Sequence, residues 1–264
     1  MEHFVLILAA GEGSRLKSEI PKQFLEINGT PMLMHSILAF KKADPNAKIY
    51  IALSKKNEFY WDQICKKYNF NIEHHTYIGG NQRSETVFLG LQQIYTAISS
   101  GKNKKINKTE LSSEINSMVS IHDAARPFID PPFILELLHA AKSHGSAVPT
   151  LNLKSALRKI SHESSMNSLG ENREQYFITQ TPQVFSFEKI YKSYCQLDKK
   201  NITLDNKLSN ESRKQVFDDA SVYDLLHDKS PIHILNGREY NIKITTELDY
   251  FVSEHIYDFF KNLK

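Results

Sequence analysis

The chain has 264 residues, with 33 lysines and arginines against 30 aspartates and glutamates, a formal charge of +3. That balance is too small to argue for nucleic acid or an anionic membrane as partner, and the length suits one large domain or one domain with an appendage. Cys65 and Cys195 lie far apart without metal-ligand spacing and read as reduced thiols of a cytoplasmic protein.

Residues 3–10 are a continuous apolar run that ends in glycines, which predicts a strand buried on both faces of a parallel sheet. Glu2 stands where a secretory signal would carry a basic residue, and no apolar stretch is long enough to cross a bilayer. Leu33, Ile37 and Phe40 recur at helical spacing after Pro31, and "AKIYIALS" (47–54) then reads as a second strand. A helix near 56–68, a strand before Gly79-Gly80, a helix from about Ser84 to Ile98 and the strand "SMVSIHD" ending at Asp123 continue the alternation. Tyr60 and Trp61 on the first of these helices read as packing residues. The adjacent His74 and His75 point to opposite faces of an extended chain and cannot chelate one ion together.

Residues 99–116 are polar, without apolar period, and read as a flexible surface insertion. From 148 to 185 the rhythm breaks into "VPTLNLKSALRKI", a polar stretch through Gly170 and "QYFITQTPQVF", which reads as a protruding β-arm. A helix near 187–196, a short helix after Asp219, the strand "IHIL" (232–235) and a closing helix follow. On that last helix Leu248, Val252, Ile256, Phe259 and Phe260 are expected to share the inward face. The pattern predicts an α/β protein with a Rossmann-like, open, mostly parallel twisted sheet, helices on both faces and the arm as appendage.

The segment "AAGEGSRLKSEIPKQF" (9–24) follows the first strand and offers small residues and fixed cations, with no histidine or cysteine. It is neither of two familiar phosphate loops. Leu16 holds the second glycine position of a P-loop, and a dinucleotide fingerprint needs its third glycine at that same place. What remains is a loop whose backbone can approach an anion closely, with Arg15 and Lys22 supplying charge.

Six ordered blocks resemble one family, the 2-C-methyl-D-erythritol 4-phosphate cytidylyltransferases of the sugar-phosphate nucleotidyltransferase fold. They are "LAAGEGSRL" with "PKQF", "GGNQRSETVFLGL" (79–91), "IHDAARPF" (121–128), "QTPQVF" (180–185), "DDAS" (218–221) and "NIKITT" (241–246), and the resemblance makes residues 1–264 a single such domain. It implies transfer of CMP from CTP to a sugar-alcohol phosphate, with Arg15, Lys22 and Lys243 as the catalytic cations. It implies nucleotide contacts from Ala9, Ala10, Gly11, Gly13, Gly80, Asn81, Arg83, Thr86, Asp123 and Ala124. Asp123 resembles the family residue associated with Mg2+ or another divalent cation. Arg126, Ser155, Arg173 and Thr181 are implied for the polyol phosphate, with Arg173 reaching across a homodimer through the arm. Alone, Arg173 in a polar loop would read as solvated surface, and Arg126 could instead pair with Asp123.

The chain also departs from the family. Asn81 and Thr86 stand where the family usually has Asp and Ser, and both keep an oxygen. "PTLNLKSALRK" (149–159) replaces the usual P-V-x-D-T-I-K, and Tyr240 precedes "NIK" where an acidic residue is common. Two rivals stay open: a ribitol 5-phosphate cytidylyltransferase, whose relatives often read A-G-G and D-A-V-R at these blocks, and a protein that binds CTP without turning it over.

Overall fold

A computed structural model describes residues 1–11, 20–101, 117–160, 168–204, 216–225 and 231–263. Strand β1 (Glu2–Leu8) leads, after a one-turn 3-10 helix at Lys22–Phe24, to a small ribbon of β2 (Glu26–Ile27) and β3 (Thr30–Pro31). Asn28 and Gly29 turn that ribbon with φ of 49° and 70°, the double left-handed geometry that an Asn-Gly pair adopts readily. Then come α1 (Met32–Ala43), β4 (Lys48–Leu53), α2 (Lys55–Lys67), β5 (His75–Ile78), α3 (Arg83–Gly101) and β6 (Ser117–Asp123). The second half holds α4 (Pro131–His144), β7 (Ser146–Asn152), β8 (Leu157–Ile160), β9 (Ser168–Glu171), β10 (Phe177–Thr179), β11 (Gln183–Ser186), α5 (Phe187–Leu204), α6 (Asp219–Asp224), β12 (Ile234–Asn236) and α7 (Glu247–Asn262).

The main sheet runs β10-β7-β11-β6-β1-β4-β5, with β12 beside β7. The pairs among β6, β1, β4 and β5 are parallel, while β11 runs antiparallel to β6 and β7. In this register Leu8 lies opposite both Ala52 and Asp123, so the carboxyl ends of three strands meet. Alternate residues of β1 feed two cores. Val5, Ile7 and Ala9 pack with Leu33, Ile37 and Phe40 of α1 and Phe133 and Leu137 of α4. Phe4 and Leu6 pack with Val87 and Leu91 of α3 and Phe187 and Tyr191 of α5. Each fully buried Val, Leu, Ile or Phe among these contributes about 1.5–3 kcal/mol relative to exposure, and helices on both faces make a continuous apolar run the right sequence for this strand.

Local chemistry sets the helix ends. Asp130 caps α4 by accepting from the Phe133 N–H, Pro131 follows at the first turn, and Gly145 closes it with φ of 87°. Thr246 and Asp249 form a reciprocal capping box on α7.

Five expectations change. The stretch 148–185 is not one arm: β7, β10 and β11 belong to the main sheet, and only β8 and β9 form a separate two-stranded ribbon. An extended apolar segment announces a strand but not its partner, and residues 146–150 are buried in the central layer. Residues 99–101 of the expected insertion are the last turn of α3, and 102–116 lie outside the described residues. Helix α5 continues to Leu204, eight residues past 196, and β12 is Ile234–Asn236 rather than 232–235. On α7, Phe260 is buried but Leu248 and Phe259 are 69% and 58% exposed. Steps of four residues drift about 40° around a 3.6-residue helix, so the row that reaches the core is Tyr250, Ser253, Tyr257 and Phe260, with Ile256 beside it.

Candidate active site

The strand ends are tied together by main-chain bonds. Ala9 donates to Ala52 O at 3.0 Å, Ala124 to Leu8 O at 3.1 Å and Gly79 to Leu53 O at 2.9 Å. A Cβ on Gly79 would stand 2.6 Å from the Ala10 Cβ, so the absence of a side chain there lets the two loops touch. Ala9, Ala10, Gly11, Gly80, Asp123 and Ala124 thereby gather at one edge of the sheet. Gln23, 2% exposed, donates its amide to Ala9 O at 2.8 Å, which anchors the turn that begins with Lys22 beside the end of β1. Gly13 and Arg15 lie outside the described residues.

At the centre is Asp123. Its Oδ2 lies 2.7 Å from Lys243 Nζ and its Oδ1 3.5 Å from Arg83 Nε. Burial works against its ionisation, but Arg83 and then Lys243 outweigh that and hold the carboxyl below the usual carboxylate range. Arg83 also donates from Nη2 to Asp219 at 2.7 Å, and Tyr194 donates its hydroxyl to the other Asp219 oxygen at 2.6 Å. Burial disfavours the Arg83 charge, and Asp219 followed by Asp123 more than restores it.

A chain of hydrogen bonds fixes the loop around Asp123. The Asp123 N–H donates to Thr181 Oγ1 at 3.0 Å, so the threonine proton points to His122 Nδ1 at 3.1 Å and Nε2–H of that ring donates to Arg126 O at 3.0 Å. His122 is neutral in this arrangement, its pKa pushed down to about 4 by burial. Arg126 donates to Asn241 O at 2.8 Å, Asn241 donates its amide to Thr181 O at 2.9 Å, and Ile244 N–H donates to Ala125 O at 2.8 Å. These bonds stitch residues 241–244 to the loop after β6 and hold Lys243 over Asp123. Arg126 thus braces the "NIK" segment and makes no ion pair with Asp123 at hydrogen-bonding distance.

In the glycine-rich loop Thr86 is 5% exposed; its hydroxyl accepts from Gly80 N at 3.0 Å and donates to Gln82 O at 3.0 Å. Asn81 N donates to Glu85 at 2.7 Å. Thr181 belongs to the main body, not to the arm. Ser155 and Arg173 lie elsewhere, at the base of the β8–β9 ribbon, where Arg173 donates to Lys154 O and Lys154 pairs with Glu239. Tyr240 turns from the Asp123 cluster to donate to Asp130 at 2.7 Å, so it supplies no replacement ligand there. Among the described residues no three carboxylate, imidazole or thiol groups converge, and Asp123 is the single carboxylate between the cations.

The family model described as 2-C-methyl-D-erythritol 4-phosphate cytidylyltransferase matches residues 3–258. The chain belongs to this family. The cytidylyltransferase of Azobacteroides pseudotrichonymphae is 32% identical, over 97% of this chain and 99% of its own length. That of Bacteroides thetaiotaomicron is 31% identical, over 94% and 96%. Two crystal structures share the fold: 4-diphosphocytidyl-2C-methyl-D-erythritol synthase from Anaerococcus prevotii (20% identity, 97% and 98% coverage, TM-score 0.72) and the cytidylyltransferase from Thermus thermophilus (24%, 97% and 98%, 0.67).

Within this cytidylyltransferase several residues matter to which the sequence assigned no role. Gln23, His122, Gln180 and Asn241 are polar side chains with at most 3% exposure that place the loops. Gln180 bonds Arg238 O, Asn241 O and Arg238 N–H. Their signal was present, since they lie inside the quoted blocks, but only the fold reveals what they hold. Among the described residues no helix is long and apolar enough to cross a membrane.

Proposed function

We propose that the chain transfers the cytidylyl group of CTP to 2-C-methyl-D-erythritol 4-phosphate, giving 4-diphosphocytidyl-2-C-methyl-D-erythritol and pyrophosphate in the non-mevalonate route to isoprenoids. The observation that carries this reading is Lys243 and Arg83 gathered around Asp123 at the carboxyl edge of the sheet, in a chain of this family. The nucleophile is a phosphate oxygen, largely dianionic at neutral pH because its second ionisation lies near 6, so no side chain has to take a proton. The barrier is repulsion between anions. Two unit charges 4 Å apart cost about 4 kcal/mol at an effective dielectric of 20. Lys22, Lys243 and Arg15 are the residues to offset charge on the CTP phosphates and on the α-phosphorus as the acceptor oxygen attacks and pyrophosphate leaves in line.

The donor set fits a magnesium ion completed by substrate: one hard carboxylate, Asp123, with lone pairs beyond the two directed at Lys243 and Arg83, in a site built for phosphates. Held there by Asp123, the ion would supply positive charge that offsets the negative charge of the substrate phosphates. Cytosine recognition falls to the backbone of 79–81. The N–H groups of Gly79, Gly80 and Asn81 are engaged internally, so the loop's carbonyl oxygens are the groups suited to the exocyclic amine that separates cytosine from uracil. Exposed Arg173, on the ribbon, serves the polyol phosphate of a neighbouring subunit in a cytoplasmic homodimer, with Ser155 beside it. The test is pyrophosphate release from CTP with 2-C-methyl-D-erythritol 4-phosphate and ribitol 5-phosphate in competition. Preference for the first is expected, and a strong preference for ribitol 5-phosphate overturns the assignment.

A further inference from the structure

The "DDAS" block (218–221) holds a carboxylate with no exposure at all, Asp219. One oxygen of that carboxylate takes the Arg83 Nη2–H at 2.7 Å and the other takes the Tyr194 hydroxyl at 2.6 Å. Asp218 builds the frame beneath it. It caps α6 through Ser221 N–H at 2.9 Å and accepts from Gln183 at 2.8 Å, whose own amide oxygen takes Ala220 N–H at 2.9 Å. The frame therefore fixes Asp219 relative to β11, and β11 lies directly beside β6, which carries Asp123.

Arg83 stands between two carboxylates at unequal distances, 2.7 Å to Asp219 and 3.5 Å to Asp123. A guanidinium prefers a bidentate grip on one carboxylate. Held from behind by Asp219, it cannot close on Asp123, whose second oxygen stays paired with Lys243 at 2.7 Å. With Asp219 neutral, Asp123 is the one charged partner left to Arg83 among the described residues. The guanidinium then moves onto Asp123 and competes with Lys243 for it.

We propose that Asp219 is a positioning residue for the transfer reaction, restraining Arg83 so that Asp123 and Lys243 keep the arrangement the reaction uses. This rests on the cytidylyl-transfer reading above. Asp219 touches no substrate; it acts through Arg83.

The test is a kinetic cycle on the full chain with CTP and the polyol phosphate. Asp219→Asn is expected to lower kcat about 10- to 100-fold, the range typical for supporting partners of an active-site group, while the KM for CTP moves less than about threefold. In an Arg83→Gln background the same change should cost less than about twofold further, because there is no guanidinium left to misplace. Losses that multiply in the double variant, or a wild-type kcat for Asp219→Asn, overturn the proposal. If Asp219→Asn does not fold, Tyr194→Phe keeps the stacking on Phe88 and removes one bond to Asp219. Its kcat should fall a few fold, and that loss should vanish with Arg83→Gln; an unchanged kcat counts against the role. A wild-type protein that releases no pyrophosphate sinks the transfer reading itself, whereas an active wild type with independent losses sinks the positioning role alone.

Discussion

Lys243 Nζ lies 2.7 Å from Asp123 Oδ2, which joins the segment before the last helix to the end of a central strand. The contact makes Lys243 a cation fixed in place before any nucleotide arrives, and pre-placed charge needs no reorganisation during transfer. Lys243→Met should keep the apolar stem and lose the charge. We expect kcat to fall about 100- to 1000-fold, with CTP affinity by calorimetry weakening much less. Equal losses in the two measurements would mean that the lysine only binds the ground state.

Gly79 meets Ala10 so closely that one added methyl group has nowhere to go. The new Cβ would lie 2.6 Å from the Ala10 Cβ and 3.1 Å from both Thr86 Cγ2 and Oγ1. Neither neighbour is the free end of a long side chain, so the glycine-rich loop must move away from β1. Gly79→Ala should cost about 1–3 kcal/mol in urea unfolding and raise the KM for CTP. Gly170→Ala, where nothing lies within 4 Å, is the control and should leave stability nearly unchanged. Equal behaviour of the two variants refutes the steric account.

The parallel half of the sheet was legible because three of its strands are largely apolar runs, Phe4–Ala10 before Gly11, Ile49–Leu53 and Met118–Ile121, and the fourth, His75–Ile78, is marked by the glycine pair that follows it. The edge at which Asp123 stands followed from that rhythm. The division of 148–185 did not, because period and composition reveal that Val148 is extended but not that β12 and β10 share β7 with β11. The partners of Arg83 were equally hidden. A pairing between α3 and the start of α6 is decided by tertiary packing, and "DDAS" carries no local sign of where it points. Asn28-Gly29 is the opposite case, a hairpin signal plain in the sequence whose two-residue turn is short enough to pass for loop.

Trp61, the one tryptophan of the chain, donates its indole N–H to His74 Nε2 at 3.0 Å, while His74 Nδ1 faces Ile72 O at 2.7 Å. That pattern requires a neutral ring, and burial, helped by the nearby His75, lowers the His74 pKa from its ordinary value. The unfolded chain therefore binds a proton near pH 6.5 that the folded chain refuses until lower pH. Stability should fall as pH drops below about 6.5 and level off once the folded ring also titrates. Protonation takes away the acceptor of the indole, so Trp61 fluorescence should change in the same lower range. His74→Gln keeps an acceptor without titrating and should abolish that fluorescence step. A step that survives the substitution assigns it to another group.

Arg173 is exposed on the turn after β9, and its bond to Lys154 O lies within the same region of the arm. Lys22, by contrast, belongs to the turn that Gln23 anchors at the end of β1. If the active site takes Lys22 from one subunit and Arg173 from the other, each defect spoils a different half of the same site. Arg173→Ala and Lys22→Ala homodimers should then both be nearly inactive. Unfolded together in equal amounts and refolded, they form mixed dimers in which one of the two sites has both residues intact. Counting sites in random dimers gives recovery of about a quarter of the wild-type rate. Were Arg173 to serve the site of its own subunit, every site in the mixture would carry one defect, and refolding together would recover nothing beyond the average of the two variants.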